Sequence, residues 1–167
     1  ASASNVFDDT THANDHVYVR NSGCPTGGGD PWGPCSEPWG QSSQVCVASG
    51  GELSNAFFDV YESSQFVVSD GSVGGDLYAY DSAAISIEGG MVSGSIYVHD
   101  EASASVQFGV LSGFLDARST STVSMSGGSI PYLWANDTAS VDLSGGFVDE
   151  ALVGYDSATI TFGSGTS

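Results

Sequence analysis

The stretch DSAAISIEGGMVSGSIYVHD, from Asp81 to Asp100, decides the fold because the rest of the chain repeats its pattern. The same frame returns in DTASVDLSGGFVDEALVGYD, from Asp137 to Asp156. An apolar residue lies just past each Gly-rich turn, and successive residues of this kind are 20, 19, 19, 19 and 18 positions apart: Leu53, Val73, Val92, Leu111, Ile130 and Val148. A period this short and steady indicates a solenoid, in which each repeat contacts only its neighbours.

Within one repeat, apolar residues alternate with small or polar ones, as in Ile85 and Ile87 before the turn and Ile96 and Val98 after it. Alternation predicts strands with one buried and one solvent-facing side. A repeat of this length holds three short strands and three turns, and no window shows a sustained helical spacing. We therefore predict an all-β fold, a single-stranded parallel β-helix (β-solenoid) with about 19 residues per coil, whose roughly seven coils would span about 35 Å.

The predicted register assigns a direction to each side chain. The residues expected to point inward are Ile85, Ile87, Val92, Ile96, Val98, Val141, Leu143, Val148 and Leu152. On the outward side, one position of the frame gives a partial aromatic ladder, formed by Tyr78, Tyr97, Asp116, Trp134 and Val153, with Phe58 and Tyr18 before it. The next corner carries Asp81, Asp100, Ser119, Asp137 and Asp156.

The frame A-x-V-x-L-S-G-G-x-V-x-x-x-L-x-A-x-D resembles the repeats of filamentous-haemagglutinin-type adhesins. It is also similar to the GG-V repeats of secreted bacterial surface proteins that carry a sorting tail. The resemblance covers about residues 45–163 and rests on degenerate structural motifs. It implies a right-handed parallel β-helix on the outside of the cell, which agrees with the general preference for right-handed crossovers. It assigns no catalytic residue.

Composition and charge fit an exported protein. The chain has 167 residues, 2 Lys plus Arg and 20 Asp plus Glu, and a formal net charge of −18, so nucleic acid and anionic membrane surfaces would repel it. No apolar run approaches the length of a membrane span, so we expect no membrane insertion. The chain begins with Ala-Ser-Ala, the small-residue kind of end that signal-peptide cleavage leaves. We expect an extracellular or cell-surface location.

The chain divides into an N-terminal part and a solenoid. Residues 1–16 are mostly polar and are predicted to be a loose arm or an incomplete first coil. Residues 17–167 are predicted to be the solenoid, interrupted by an insertion at about 22–44 that is rich in Cys, Pro and Trp. Between Asn21 and Val45 there are 23 residues, where Asp100 and Val106 are separated by 5, so roughly eighteen residues are added at one corner.

The three cysteines and two of the three tryptophans lie in the insertion or directly after it. Cys24, Cys35 and Cys46 are each 11 residues apart, without the close Cys pair of a zinc site, so we predict a disulfide with Cys24–Cys35 preferred. Cys46 would then be an alternative partner, a buried free thiol or an intermolecular bridge. Trp32 and Trp39 either fold down as a cap over the first coil or stack on sugars.

The outward ladders each allow two interpretations. Aromatic side chains beside acids hold sugars in many proteins, so Tyr78, Tyr97 and Trp134 are candidate glycan contacts, whereas stacked rings also stabilise neighbouring strands. The acidic corner of Asp81, Asp100, Asp137 and Asp156 is either a Ca²⁺ site or a set of turn residues whose carboxylates accept backbone N–H groups. The turn interpretation is preferred, and no other cofactor is expected.

These patterns favour a non-catalytic, structural or adhesive extracellular protein. An enzyme of the lyase or glycosidase kind would need a basic residue or a converging carboxylate pair, and neighbours such as Asp149 and Glu150 point to opposite faces of a strand. We expect head-to-tail self-association into a fibre or surface layer, unless a further C-terminal segment covers the last coil. The residues expected at this contact are Val6, Phe7, Val17, Val19, Ile160 and Phe162. The alternative is a carbohydrate-binding module, with polysaccharide as its partner.

Overall fold

The structure is a computed structural model that describes residues 4–7, 11–13, 16–19, 44–47, 51–54 and 57–163, with the backbone alone described up to Gln44 and at Ser54. This described part contains no helix that is long and apolar enough to cross a membrane. Its strands are β1 (Ser4–Phe7), β2 (Thr11–Ala13), β3 (His16–Val19), β4 (Gln44–Val47), β5 (Glu52–Ser54), β6 (Phe57–Val60), β7 (Gln65–Val68), β8 (Ser72–Val73), β9 (Leu77–Ala79), β10 (Ala84–Ile87), β11 (Met91–Val92), β12 (Ile96–Val98), β13 (Ser103–Val106), β14 (Val110–Leu111), β15 (Phe114–Ala117), β16 (Thr122–Ala135), β17 (Ser140–Gly154) and β18 (Thr159–Phe162).

Strands at the same position in successive turns pair in parallel and in register. Ile87 of β10, for example, lies between Val68 of β7 and Val106 of β13, 19 residues away on either side. The second and third strands of each turn follow the same rule, so β11 lies between β8 and β14, and β12 between β9 and β15. Strands β16 and β17 each run through a whole turn, and β18 begins the next. The predicted β-solenoid with about 19 residues per turn is confirmed.

The first described strands already belong to the solenoid. Strands β1, β2 and β3 pair in parallel with β4, β5 and β6, so residues 1–16, predicted as an arm or an incomplete coil, contain two strands of a turn. Residues 20–43 lie between β3 and β4, whereas only residues 61–64 separate β6 from β7 at the same corner. Strands β3 and β4 therefore belong to successive turns of the solenoid.

The core is a column of apolar side chains inside the coil. Of the residues predicted to point inward, Ile85, Ile87, Val92, Ile96 and Val98 are at most 1% exposed, and Val141 and Leu143 are also buried. Val148 and Leu152 are only partly buried, because they belong to the last full turn.

One inward residue was predicted on the wrong face. Phe58 was expected to precede Tyr78 in the outward ladder, but it is fully buried and pairs with Leu77, and Asp59 is the residue that pairs with Tyr78. Strand side chains alternate, so a register error of one residue moves a side chain to the opposite face.

Gly residues allow the turns to stack closely at the corners. A Cβ atom on Gly94 would lie 2.1 Å from the carbonyl oxygen of Gly75 in the turn before, and 2.7 Å from the amide nitrogen of Asp76. These neighbours are backbone atoms, which a side chain cannot displace without separating the two turns. The regular Gly positions of the sequence are therefore places where backbone meets backbone.

Candidate functional site

The third strand of each turn carries an outward column of aromatic rings. Tyr78 of β9 pairs in register with Tyr97 of β12, and the same position continues to Asp116 of β15 and Trp134 of β16. The rings of Tyr78 and Tyr97 are parallel within 1°, with their centroids 4.5 Å apart. Burial raises the pKa of Tyr78 to about 12, and the charge of Asp76 and a hydrogen bond with Tyr97 act in the same direction. The structure thus brings the predicted aromatic residues together.

A second aromatic column runs beside the first, at the corner that follows the third strand. Tyr61 stacks on Tyr80 at 4.9 Å between centroids, and Tyr80 stacks on His99 at 5.1 Å, with interplanar angles of 14° and 12°. Burial lowers the pKa of His99, and the positive charge of Arg118 one turn on lowers it further. Near pH 7 this imidazole is therefore neutral and forms part of the ring stack.

Phe114 fills the place where the first column is interrupted by an acid. Its ring meets Tyr97 edge to face at 5.2 Å and stacks on Trp134 at 4.9 Å. Phe114 lies two residues before Asp116 on the same face of β15, and it was not among the residues predicted for the ladder. Residues two apart in a strand share a face, and this rule could have identified it. Tyr78, Tyr97, Phe114 and Trp134 consequently form one continuous aromatic face.

Beneath this face lies a buried carboxylate with a complete set of partners. Asp116 is 1% exposed and accepts hydrogen bonds from Nε and Nη2 of Arg118, at 2.8 and 2.6 Å, and from Nδ2 of Asn136 at 2.7 Å. The bond to Asp116 raises the pKa of Arg118. Since Asn136 belongs to the next turn, this cluster ties two turns together and satisfies the buried charge. The cluster was not among the predicted sites.

The acidic corner is built around backbone in the left-handed conformation. Asp81, Asp100, Ser119, Asp137 and Asp156 have φ angles between 55° and 57°. The Oδ2 atom of Asp137 accepts the N–H of Ser119 one turn earlier at 2.9 Å, and Asp81 and Asp100 make the same kind of bond to the turn before them. Asp tolerates this conformation better than most residues. The carboxylates of Asp81, Asp100 and Asp137 therefore join each corner to the corner one turn earlier.

The corner does not assemble a set of metal ligands. The four predicted aspartates line one edge of the solenoid, with Ser119 in the turn between Asp100 and Asp137. Across the residues with described side chains there is no group of three or more His, Cys, Asp or Glu that could hold a metal ion. The structure thus offers no geometric support for the Ca²⁺ interpretation within that part of the chain.

The core column is uncovered at the end formed by β18. The inward position of the first strand is at most 5% exposed through six successive turns, and then 60% exposed in the last: Val47, Val68, Ile87, Val106, Met125, Leu143 and Phe162. Ile160, in the same strand, is only partly buried. Both residues had been predicted to form an assembly contact, and both lie at this open end.

A shallow groove follows the outward side of the first strands. It has a volume of about 480 Å³ and crosses β7, β10, β13, β16 and β17. Hydroxyl side chains are the most frequent kind in its lining, and two of them, Ser86 and Ser105, hydrogen-bond at 3.1 Å between their Oγ atoms. This face was not among the predicted sites, although S-x-S in β13 and T-x-S in β16 place hydroxyls on one side of each strand.

Several predicted site residues fall on parts of the chain without described side chains. Cys24, Cys35, Trp32 and Trp39 lie outside the described residues, so the predicted disulfide and the cap stay predictions. Cys46 is described and is a free, half-buried thiol, whose Sγ lies 3.8 Å from Oγ of Ser69. Four predicted assembly residues lie on strands of which the structure describes only the backbone: Val6, Phe7, Val17 and Val19.

Comparison of the chain with protein-family models, curated proteins and solved structures gives no match. The β-solenoid architecture therefore rests on the strand register alone. The likeness to haemagglutinin-type and GG-V repeats is likewise carried by the sequence pattern alone. Function has to be argued from the surfaces: the aromatic face, the acidic corner, the groove and the open end.

Proposed function

We propose that this chain is a non-catalytic, extracellular β-solenoid of the haemagglutinin-type or GG-V repeat class, with a structural or adhesive function, and that its copies associate head to tail. The observation that carries the proposal is the open end. Phe162 occupies a core position and is 60% exposed, while its counterpart Leu143 one turn earlier is 5% exposed. Covering a large apolar side chain of this kind contributes about 1.5–3 kcal/mol.

The first turn of a second copy can pair with this end, because it offers strands of the same direction and spacing as the next turn of the solenoid would. The first turn consists of β1, β2 and β3, which run parallel to the strands of the next turn and in register with them. The outer edge of this turn is therefore a parallel ladder edge with the same direction and spacing as the edge of β18. Stacking one on the other repeats the contact that already joins every pair of turns. Such a heterologous contact propagates into an open filament.

Charge opposes this association but does not prevent it. Each chain carries a formal net charge of −18, so two copies repel at long range. The contact itself would consist of apolar side chains and backbone hydrogen bonds, and added salt screens the repulsion without weakening either. Association should therefore persist, and increase, as salt is raised.

The non-catalytic part of the proposal is supported by how the carboxylates are used. Asp149 accepts a hydrogen bond from Ser129 at 2.7 Å, and Glu150 accepts one from the Tyr132 hydroxyl at 2.6 Å. Both carboxylate oxygens of Asp116 accept hydrogen bonds, one from Arg118 and the other from Asn136. These acids link one turn to another. The extracellular part is supported by the acidic composition and by the repeat pattern.

The test compares two substitutions that make the same chemical change. Phe162→Asp places a charge at the open end, and Phe108→Asp, at a residue that is 67% exposed on the side of an inner turn, is the matched control. Sedimentation velocity and negative-stain electron microscopy should show assemblies of the wild-type chain that lengthen with concentration. The Phe162→Asp chain should remain monomeric and the control should assemble.

Mixing the chains gives a second readout of a head-to-tail contact. A Phe162→Asp chain keeps an intact first turn, so it can add to a filament but cannot be extended. A small fraction of it should shorten wild-type filaments. A wild-type chain that stays monomeric at high concentration would refute the proposal, and equal loss of assembly in the Phe108→Asp chain would point to lateral contacts instead.

The alternative function, carbohydrate binding on the aromatic face, has weaker geometric support. A sugar ring stacks on an exposed aromatic face, but Tyr78 and Tyr97 cover each other's faces, and Phe114 lies against both Tyr97 and Trp134. The ring stack therefore acts first as a contact between turns. A glycan array with the wild-type chain tests the alternative, and binding that is lost in Trp134→Ala would favour it.

A further inference from the structure

The stacked pair Tyr78–Tyr97 has the geometry of two phenols prepared for coupling. Both side chains leave the sheet at the same position of neighbouring turns, so their rings point the same way. The rings are parallel within 1° at 4.5 Å between centroids, and both side chains are only partly buried. The phenol carbons next to the two hydroxyl groups consequently face each other across the stack, within reach of a small oxidant in solution.

We propose that Tyr78 and Tyr97 form a site of oxidative modification, at which a one-electron oxidant joins the two rings through a carbon–carbon bond. Each phenol loses one electron and its hydroxyl proton to give a tyrosyl radical. The two radicals combine at the carbons next to the oxygens, and each of these carbons then loses its hydrogen as a proton while the phenol hydroxyl is restored. The net change is the loss of two electrons and two protons, which pass to the oxidant and to water.

The oxidant is supplied from outside the protein. A photoexcited ruthenium polypyridyl complex with persulfate is one such system, because each persulfate accepts two electrons and leaves as two sulfate ions. One persulfate therefore balances one coupled pair. Peroxidases with hydrogen peroxide belong to the same chemical class of one-electron phenol oxidants, with water as the reduced product.

Position distinguishes this pair from the other tyrosines of the described chain. Tyr61 and Tyr80 also stack, but at 4.9 Å and 14°, so they should couple less efficiently. Tyr78 on β9 and Tyr80 at the corner after it are 6.4 Å apart between ring centroids, and the other face of Tyr80 meets His99, which cannot form this bond. The Tyr78–Tyr97 pair combines the shortest centroid distance with the smallest interplanar angle.

The link would join residues 19 positions apart across two adjacent turns. It would act as a covalent staple along the solenoid axis, comparable to a disulfide in restricting the unfolded chain. We therefore expect the oxidised protein to have a higher Tm than the untreated protein. This modification needs no partner chain and so does not depend on head-to-tail assembly.

The experiment is photo-oxidation of the dilute full chain with the ruthenium complex and persulfate, followed by mass spectrometry. Cleavage after Asp and Glu releases 77–81 and 89–100 as separate peptides, the first with Tyr78 and Tyr80 and the second with Tyr97 alone. The expected product is these two peptides joined, lighter by two hydrogen atoms than their sum. Blue dityrosine fluorescence of the intact chain is the rapid readout.

Two substitutions within one peptide provide the matched controls. Tyr78→Phe should abolish the joined product, while Tyr80→Phe, two residues further on and in the same peptide, should leave it unchanged. The proposal is overturned if the joined peptides persist in the Tyr78→Phe chain, if they appear only between separate molecules, or if their yield is no higher in the folded chain than in urea. A yield that falls in urea and with Tyr78→Phe alone supports it.

Discussion

Ile87 and Phe162 occupy the same position of the repeat, one in an inner turn and the other in the last. Four parallel pairings, through Val106, Met125 and Leu143, connect them in a single column. Ile87 is 1% exposed and Phe162 is 60% exposed. The repeat pattern thus determines the direction of a side chain, but burial requires a turn on both sides. The difference between inner and terminal turns can be tested by making equal changes in each.

The largest difference is expected from a charge placed in the core column. Ile87→Asp would bury an unpaired carboxylate between two turns and should cost at least about 4 kcal/mol, a large share of a typical domain's stability. Phe162→Asp exposes its charge to water and should cost about 1 kcal/mol in the monomer. Urea unfolding of dilute protein, followed by circular dichroism, measures both. Similar midpoints for the two variants would mean that the column does not extend through the inner turns as described.

A methyl group added at a glycine should also destabilise an inner turn more than the last one. Gly94→Ala places its Cβ 2.1 Å from the Gly75 carbonyl oxygen and should cost about 3 kcal/mol. Gly154→Ala, in the last full turn, places its Cβ 3.3 Å from the flexible end of Ile160 and should change the stability by about 0.5 kcal/mol at most. Thermal unfolding distinguishes the two. A Gly94→Ala chain with the wild-type Tm would contradict the close approach of the backbones.

The acidic corner should respond to both backbone conformation and hydrogen bonding. Asp137→Ala removes the acceptor of the Ser119 N–H and puts a poorer residue at φ 57°, so we expect a loss of about 1–2 kcal/mol. Asp137→Gly loses the same bond but tolerates the conformation, and should cost less. Urea midpoints give both values. A glycine variant less stable than the alanine variant would mean that the left-handed backbone does not penalise alanine at this corner.

A substitution at Ser121, inside the same corner, should raise the stability rather than lower it. The Ser121 side chain is fully buried, and its hydroxyl oxygen has no hydrogen-bond partner in the structure. The corresponding positions of neighbouring turns hold Ala102 and Ala139. Ser121→Ala should therefore stabilise the protein by about 1 kcal/mol. The exposed Ser124→Ala is the control, and a destabilised Ser121→Ala chain would show that the hydroxyl has a partner after all.

The fold could be predicted from the sequence because its signals are local and repeated. The alternation around Ile85 and Ile87 and the steady spacing of the Gly-rich turns are visible in every coil. The turn role of Asp137 was also predictable, since a short carboxylate suits a corner. The error at Phe58 arose where the spacing of the early repeats departs from the later frame, because one residue of slippage reverses a strand's faces.

The candidate surfaces were predictable only in part. The frame placed Tyr78, Tyr97 and Trp134 in one column, but it could not show whether the rings offer their faces to a ligand or cover one another. The exposure of the ring faces depends on the side-chain rotamers and on Phe114, which belongs to a different position of the repeat. The Asp116–Arg118 pair was predictable in principle, since Arg118 follows Asp116 by two residues at the end of β15. Its burial depends on the turns above and below, which no single repeat encodes.

The smallest effect we predict is a pH dependence of the inner aromatic column. The pKa of Tyr78 is raised to about 12, chiefly by burial, so the folded state favours the neutral phenol. A phenol in the unfolded chain ionises near its ordinary pKa of about 10. The stabilisation is therefore complete below pH 10 and is lost as the pH rises towards 12. It is modest because the phenol is partly exposed and solvent screens it.

Tyr78→Phe removes the ionisable group without removing the ring. As the pH rises from 10 to 12, the wild-type chain should lose more stability than the Tyr78→Phe chain, and the difference between their urea midpoints measures this contribution. Tyr155→Phe, in the last turn at a residue that is 54% exposed, is the terminal control. Parallel curves for the wild-type and Tyr78→Phe chains across this range would mean that the inner ring is as accessible to solvent as the terminal one.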